Sequence, residues 1–160
     1  MTAAEPPSSP DDRVFAELYP GLRRFAAVVA SPGTDPDDLV QDALVRVLRR
    51  GGLGRLEHPA AYLRQAILRL AMDDRRSFGR RMRAIGRLGS AGPSASSYPS
   101  ELGDLDQLES VDRAILYLGD VEGIPQADIA DQLGLTHQAV RTRASRARRQ
   151  LRRVIEEEES

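Results

Sequence analysis

The sequence predicts an all-α protein: two small helical domains joined by a flexible linker, the second containing a helix-turn-helix. Three observations predict it. Apolar residues recur at helical spacing along most of the chain, and nothing alternates in the two-residue period of a strand. Residues 89–103, GSAGPSASSYPSELG, are rich in Gly, Ser, Ala and Pro and carry no apolar period, which is the composition of a linker. Residues 126–149, QADIADQLGLTHQAVRTRASRARR, read as a helix, a glycine turn and a second, arginine-rich helix. The expected organisation is a first domain over 10–88, a linker over 89–104 and a second domain over 105–155. At 160 residues and 41% hydrophobic, the chain suffices for one ordinary domain or two small ones, and the break at 89–103 favours two.

The first helix is expected over 12–30, interrupted or kinked at Pro20-Gly21, where proline removes a backbone donor. The second has a clear start. Asp35 is a good N-cap, Pro36 fits the first helical position, and Asp37 and Asp38 suit the positive end of the helix dipole. It is expected to run to about Arg50 and to stop at Gly51-Gly52. Its core stripe is Leu39, Val40, Ala43, Leu44, Val47 and Leu48, which turns Asp38, Gln41, Asp42 and Val45 outward together. Taken alone, such a patch reads as a solvated face. A third helix begins near Pro59 and carries Tyr62, Leu63, Ala66, Ile67 and Leu70 into an arginine-rich tract ending near Arg87. In the second domain Val111, Ala114, Ile115 and Leu118 mark a helix capped by Ser110 and stopped near Gly123.

In the helix-turn-helix, Ile129, Ala130 and Leu133 form the apolar patch of the first helix. Gly134 supplies a turn position that needs positive φ, Leu135 packs beneath, and Thr136 caps the second helix. Val140, Ala144, Ala147 and Leu151 then form a core seam at i, i+4, i+7 and i+11, and small Ala130 and Ala144 let the two helices approach closely. Off that seam stand Arg141, Arg143, Arg146, Arg148, Arg149, Arg152 and Arg153, with no acid between His137 and Arg153. Such a stretch spans about 25 Å, enough to offer its first turns to a major groove and its later arginines to phosphates. Ordinary exposed helices mix both signs of charge, so a one-signed face points to nucleic acid. The glutamates after Ile155 lie at the unfavourable end of the dipole and read as a frayed tail.

The formal net charge of -1 conceals strong local fields. Between 101 and 131 stand Glu101, Asp104, Asp106, Glu109, Asp112, Asp120, Glu122, Asp128 and Asp131 against Arg113 alone. Phosphate is met by patches and not by sums. The chain has no cysteine, which excludes disulfides, thiol catalysis and thiolate metal sites, and His58 and His137 are too few for a histidine-only metal site. No run approaches the ~20 apolar residues of a membrane span, and the acidic, proline-bearing start is no signal peptide, so a soluble cytoplasmic protein is expected. No phosphate loop or nucleophile constellation supports an enzyme, and no cofactor or metal is expected.

Read in order, DPDDLVQDALVRVLRR at 35–50, HPAAYLRQAILRLAMDDRR at 58–76 and LESVDRAILYLGDVEGIPQADIADQLGLTHQAVRTRASRARRQL at 108–151 resemble a bacterial sigma factor of the extracytoplasmic-function (ECF) group. The likeness covers nearly the whole chain and is to the minimal form, in which region 2 and region 4 are joined by a linker. It implies that Asp38, Gln41 and Asp42, in the region 2.2 motif, dock on the β′ clamp helices of core RNA polymerase. It assigns Tyr62, Arg69, Arg75 and Arg76 to melting and reading of the minus-ten element, with Arg80 and Arg81 continuing the basic run. An arginine surface beside an aromatic is what an unstacked strand needs. A core aromatic is the competing reading of Tyr62, and a solvated helix end that of Arg80 and Arg81. Tyr62 stands where the family usually has tryptophan, and Arg69 where it commonly has asparagine.

The resemblance further assigns the minus-thirty-five element to His137, Gln138, Arg141 and Arg143, with Arg146, Arg148 and Arg149 on phosphates. Gln suits adenine edges and Arg suits guanine. Pro125 replaces a usual capping Ser or Thr, and His137-Gln138 replaces a commoner Ser/Glu-Gly pair. The expected function is that of an alternative sigma factor without catalysis, with core RNA polymerase and promoter DNA as partners and an anti-sigma factor as a further one. The alternative is a free-standing helix-turn-helix regulator, which leaves the outward Asp38, Gln41 and Asp42 unexplained.

Overall fold

Ser9 opens the first helix with a capping box: its hydroxyl accepts from the Asp12 amide and its own amide donates to the Asp12 carboxylate, each at 3.2 Å. Helix α1 (Pro10–Val29) therefore starts two residues before the expected position. A computed structural model describes residues 9–87 and 107–160, so the linker expected over 89–104 and the side chain of Arg81 lie outside the described residues. Of the two outcomes expected at Pro20-Gly21, an interruption is absent: α1 continues through Pro20. Proline there forfeits one backbone bond, and Leu22, Phe25, Ala26 and Val29, all buried beyond it, hold the second half in place.

The second helix, α2 (Pro36–Arg49), begins as expected: the Asp35 carboxylate accepts from the Asp37 amide at 2.9 Å with Pro36 in the first turn. It ends at a glycine pair with φ of 118° at Gly51 and 91° at Gly52. Leu39, Val40, Ala43 and Val47 are buried, but Leu48, expected in the core stripe, is 50% exposed. A single 3₁₀ turn (Leu53–Arg55) follows, pinned where the Leu53 amide donates to Asp11 at 3.1 Å. Helix α3 (Pro59–Arg87) packs Leu63, Ile67, Leu68 and Ala71 against α1 and α2.

The second part starts with α4 (Ser110–Leu116), which passes into one π-helical turn (Tyr117–Val121). The expected Ser110 cap is corrected here. Glu109 holds the N-cap position without a side-chain bond, and the Ser110 hydroxyl donates instead to the Val29 carbonyl at 3.0 Å. Helix α5 (Gln126–Leu133) forms although Pro125 offers no cap, and Gly134 ends it at φ 70° and ψ 34°. Helix α6 (His137–Glu158) is capped by Thr136, whose hydroxyl accepts from the Ala139 amide at 3.1 Å. Of its final glutamates, Glu156, Glu157 and Glu158 are helical and only Glu159, at the C-cap, lies beyond the helix, whose last turns bury Val154.

Among the described residues every regular element is helical. The two parts are not separated by solvent. One apolar core runs from Leu22, Phe25 and Leu63 through Ala114, Ile115 and Leu118 to Ile129, Val140 and Ala144. Helix α4 packs on α1 and α3 as well as on α6, and α5 packs on α3.

Candidate nucleic-acid interface

Three surfaces carry the residues singled out by the sequence. On α2, Asp38, Gln41 and Asp42 are all exposed on one face, and Asp38 and Asp42 line a shallow depression with Asp35 and Asp74. Beside them Val45 is 43% exposed, which together with Leu48 gives this acidic face an apolar strip. The strip is a feature that the helical period assigned to the core at Leu48. Behind the face, Tyr19 donates its hydroxyl to Asp37, and Arg23 Nε donates to the same carboxylate at 3.2 Å, bracing α2 on α1. The Asp37 carboxylate, as hydrogen-bond partner, raises the Tyr19 pKa above the usual phenol value.

On α3 the four residues expected at the minus-ten element fall into two groups. Tyr62 is half-buried and accepts a hydrogen bond from Arg50 Nη1 at 2.9 Å. It lines, with Arg69, Gln65, Ala66, Arg46 and Arg50, a small cavity of about 120 Å³. Arg46 and Arg50 were missed by sequence reasoning because they belong to α2; the signal was their position at its last turn and cap, next to the turn that leads to α3. Arg75 and Arg76 instead line a separate cleft of about 310 Å³ with Met72, Arg83, Glu109 and Val111. Arg75 Nη1 donates across it to the Leu108 carbonyl at 3.3 Å.

On α6, Val140, Ala144 and Ala147 are buried against α4 and α5 as the seam requires. His137, Gln138, Arg141, Arg146 and Arg149 are exposed. Thr142 and Ser145 are exposed between them at helical spacing, and are further candidates for a groove contact that the emphasis on arginine passed over. Arg143 and Arg148 stand differently. Arg143 Nη1 lies 3.0 Å from Asp112 and 3.4 Å from Glu109, and Arg148 Nη2 lies 2.7 Å from Asp120. Hydrogen bonds to these carboxylates raise both guanidinium pKa values. Glu109, Asp112 and Asp120 thus face two of the α6 arginines, while Arg141, Arg146, Arg149, Arg152 and Arg153 are exposed.

Among the described residues no cluster of His, Asp and Glu could hold a metal ion, and no helix is long and apolar enough to cross a membrane. What the surfaces can do is bind: one acidic and apolar face, one basic and aromatic face, one basic helix face that follows a glycine turn.

Residues 105–151 match the family "Sigma-70, region 4". The chain is 26% identical over 159 residues to the ECF RNA polymerase sigma factor SigM of Mycobacterium tuberculosis, in both the Erdman and H37Rv strains, covering 90% of this chain and 76% of SigM. It shares the fold of the sigma factor RpoE from Bartonella quintana, solved in complex with the anti-sigma factor NepR, with a TM-score of 0.59, 24% identity, and coverage of 90% of this chain and 95% of that one. The second part of the chain thus matches Sigma-70 region 4, most of its length is similar to an ECF sigma factor, and its fold is that of a solved sigma factor.

Proposed function

We propose that this chain is an alternative sigma factor that binds core RNA polymerase and directs it to a class of promoters. The observation that carries the reading is the exposed face of α6, with Gln138, Arg141, Ser145 and Arg149 following the left-handed Gly134 turn inside the region 4 match. Gln138 and Arg141 read base edges of the upstream element, and Arg146 and Arg149 meet phosphates. Arg143, already held by two carboxylates, braces α6 on α4 instead. Tyr62 and Arg69, with Arg46 and Arg50 beside them, and Arg75 and Arg76 further along α3, take the unstacked strand of the minus-ten element. Asp38, Gln41 and Asp42 dock on the β′ clamp, where the adjoining Val45 and Leu48 supply apolar contact and the carboxylates fix the orientation.

The protein performs no catalysis of its own, acts in the cytoplasm where polymerase and promoters meet, and is open to control by an anti-sigma factor. The test is co-purification with bacterial core polymerase followed by transcription from a promoter library. Enrichment of one bipartite promoter class is expected. Palindromic binding by the protein alone, with no gain on adding core enzyme, would select the free-standing regulator.

A further inference from the structure

Between α1, the start of α3 and α5 lies a cavity of about 580 Å³, and no residue given a role above in polymerase or promoter binding lines it. Its apolar lining is Val14 and Leu18 of α1 with Pro59, Ala60 and Ala61 of α3, all partly buried. Its acidic lining is exposed. Glu57 stands on the approach to α3, and Asp128 and Asp131, three positions apart on α5, share one face of that helix. None of the three carboxylates is in an ion pair among the described residues. Arg64 and Gln132 join α3 to α5 at the cavity, where Arg64 Nη1 donates to the Gln132 amide oxygen at 3.0 Å. The Nε of the same guanidinium is shielded from solvent and has no hydrogen-bond partner among the described residues. A buried donor on a cation costs free energy until an acceptor meets it.

We infer that this cavity binds a small zwitterion with an aliphatic body, the chemistry of an apolar amino acid. The two signs of charge in the lining decide between ligand classes. A simple anion would satisfy Arg64 but stand among Glu57, Asp128 and Asp131, whereas a simple cation would meet those carboxylates and leave the buried Nε unpaired. One molecule carrying both groups answers both. Its carboxylate accepts from Arg64 and from the first turn of α3, whose amides have no carbonyl within the helix to bond and which carries no acid. Its ammonium is held by Asp128 and Asp131, and its aliphatic body lies on Val14, Leu18 and Ala61. The volume also fits, since cavities of about 300 to 1,000 Å³ take small ligands. Because α1, α3 and α5 all contribute, an occupant joins three helices and stabilises the folded chain.

The test is an amide chemical-shift titration of the full chain with three probes of nearly one shape: leucine, isopentylamine, which lacks its carboxylate, and isocaproate, which lacks its ammonium. Leucine should shift the amides of Val14, Ala60, Ala61, Asp128 and Asp131 at concentrations up to about 10 mM, the scale for so small a ligand. Each single-charge probe should bind at least about tenfold more weakly, the loss expected for one charge-assisted hydrogen bond. Leucine should also raise the melting temperature. Two variants read which group meets which. Arg64→Gln should abolish the preference for leucine over isopentylamine. Asp128→Asn with Asp131→Asn, both at exposed positions, should abolish the preference for leucine over isocaproate. No shift of these amides at the top of that range, or equal binding of all three probes, would overturn the site. A preference for leucine over isocaproate that survives in the exposed double variant would overturn it as well.

Discussion

Arg141 and Arg143 stand two positions apart on α6, yet their surroundings give them different roles. Arg141 is exposed, whereas Arg143 is shared between Asp112 and Glu109. Replacing Arg141 by Ala should cost about 1 to 3 kcal/mol at one upstream base pair. Arg149→Ala should weaken all sequences alike and lower the salt slope by roughly one unit. Arg143→Ala should leave base preference unchanged and cost about 1 kcal/mol or less in stability, because its ion pairs are partly exposed to solvent. Binding to a panel of single-substituted promoters, with thermal melts alongside, separates the three; identical profiles for Arg141 and Arg143 would remove the distinction. On α2, reversing the charge of Asp38 and Asp42 together should abolish binding to core polymerase while circular dichroism stays unchanged, since both side chains are exposed and neither carries core packing. A folded double variant that still co-purifies with core enzyme would reject the docking role.

At the scale of elements, the helix starts and stops were legible wherever one residue's chemistry decides the backbone. Asp35, Thr136 and Gly134 act within three positions of themselves, so their roles could be read directly. Ser110 could not be read in this way: its partner is Val29, 81 residues away, and a serine before an apolar run looks like a cap whether or not it is one. Leu48 shows the same limit, since the helical period identifies a stripe but not how far the neighbouring helices extend over it. The turn residue lends itself to a specific forecast. Gly134 has φ 70°, and a Cβ there would stand 2.5 Å from Gln65 Nε2. Gly134→Ala should destabilise by about 1 to 2 kcal/mol through the left-handed backbone. The amide of Gln65 is the far end of a flexible side chain and can move aside, so adding Gln65→Ala should restore little. Full recovery of the melting temperature in the double variant would instead assign the cost to the clash.

For the whole molecule, composition announced two helical parts but not that they share a core, because the contacts joining them are long-range and fall on residues with ordinary local explanations. Arg113 was the one visible anomaly, a lone cation among the acids of 101–131, and it occupies the buried contact. The closed arrangement bears on DNA binding by the free protein. The α6 face is exposed, whereas the α3 cleft is walled by α4; on the proposed function, contact with both promoter elements at once needs that wall moved aside. The free energy of opening is then charged against affinity, since only the open fraction is competent for both sites. Core polymerase, by binding α2 and holding the second part elsewhere, would supply that opening. The isolated chain should therefore bind a promoter duplex no more tightly than about micromolar at near-physiological salt, the range of non-specific contacts, and show little sequence preference. Adding core enzyme should bring both affinity and selectivity. Fluorescence anisotropy with and without core polymerase, at fixed salt, measures the difference. Arg113→Leu, by removing the hydrogen bond to the Val29 carbonyl that joins α4 to α1, should raise the affinity of the free chain for a single-stranded minus-ten segment, which on the proposed function engages α3 alone. Tight, sequence-specific duplex binding by the unmodified free chain would show that closure does not restrain it.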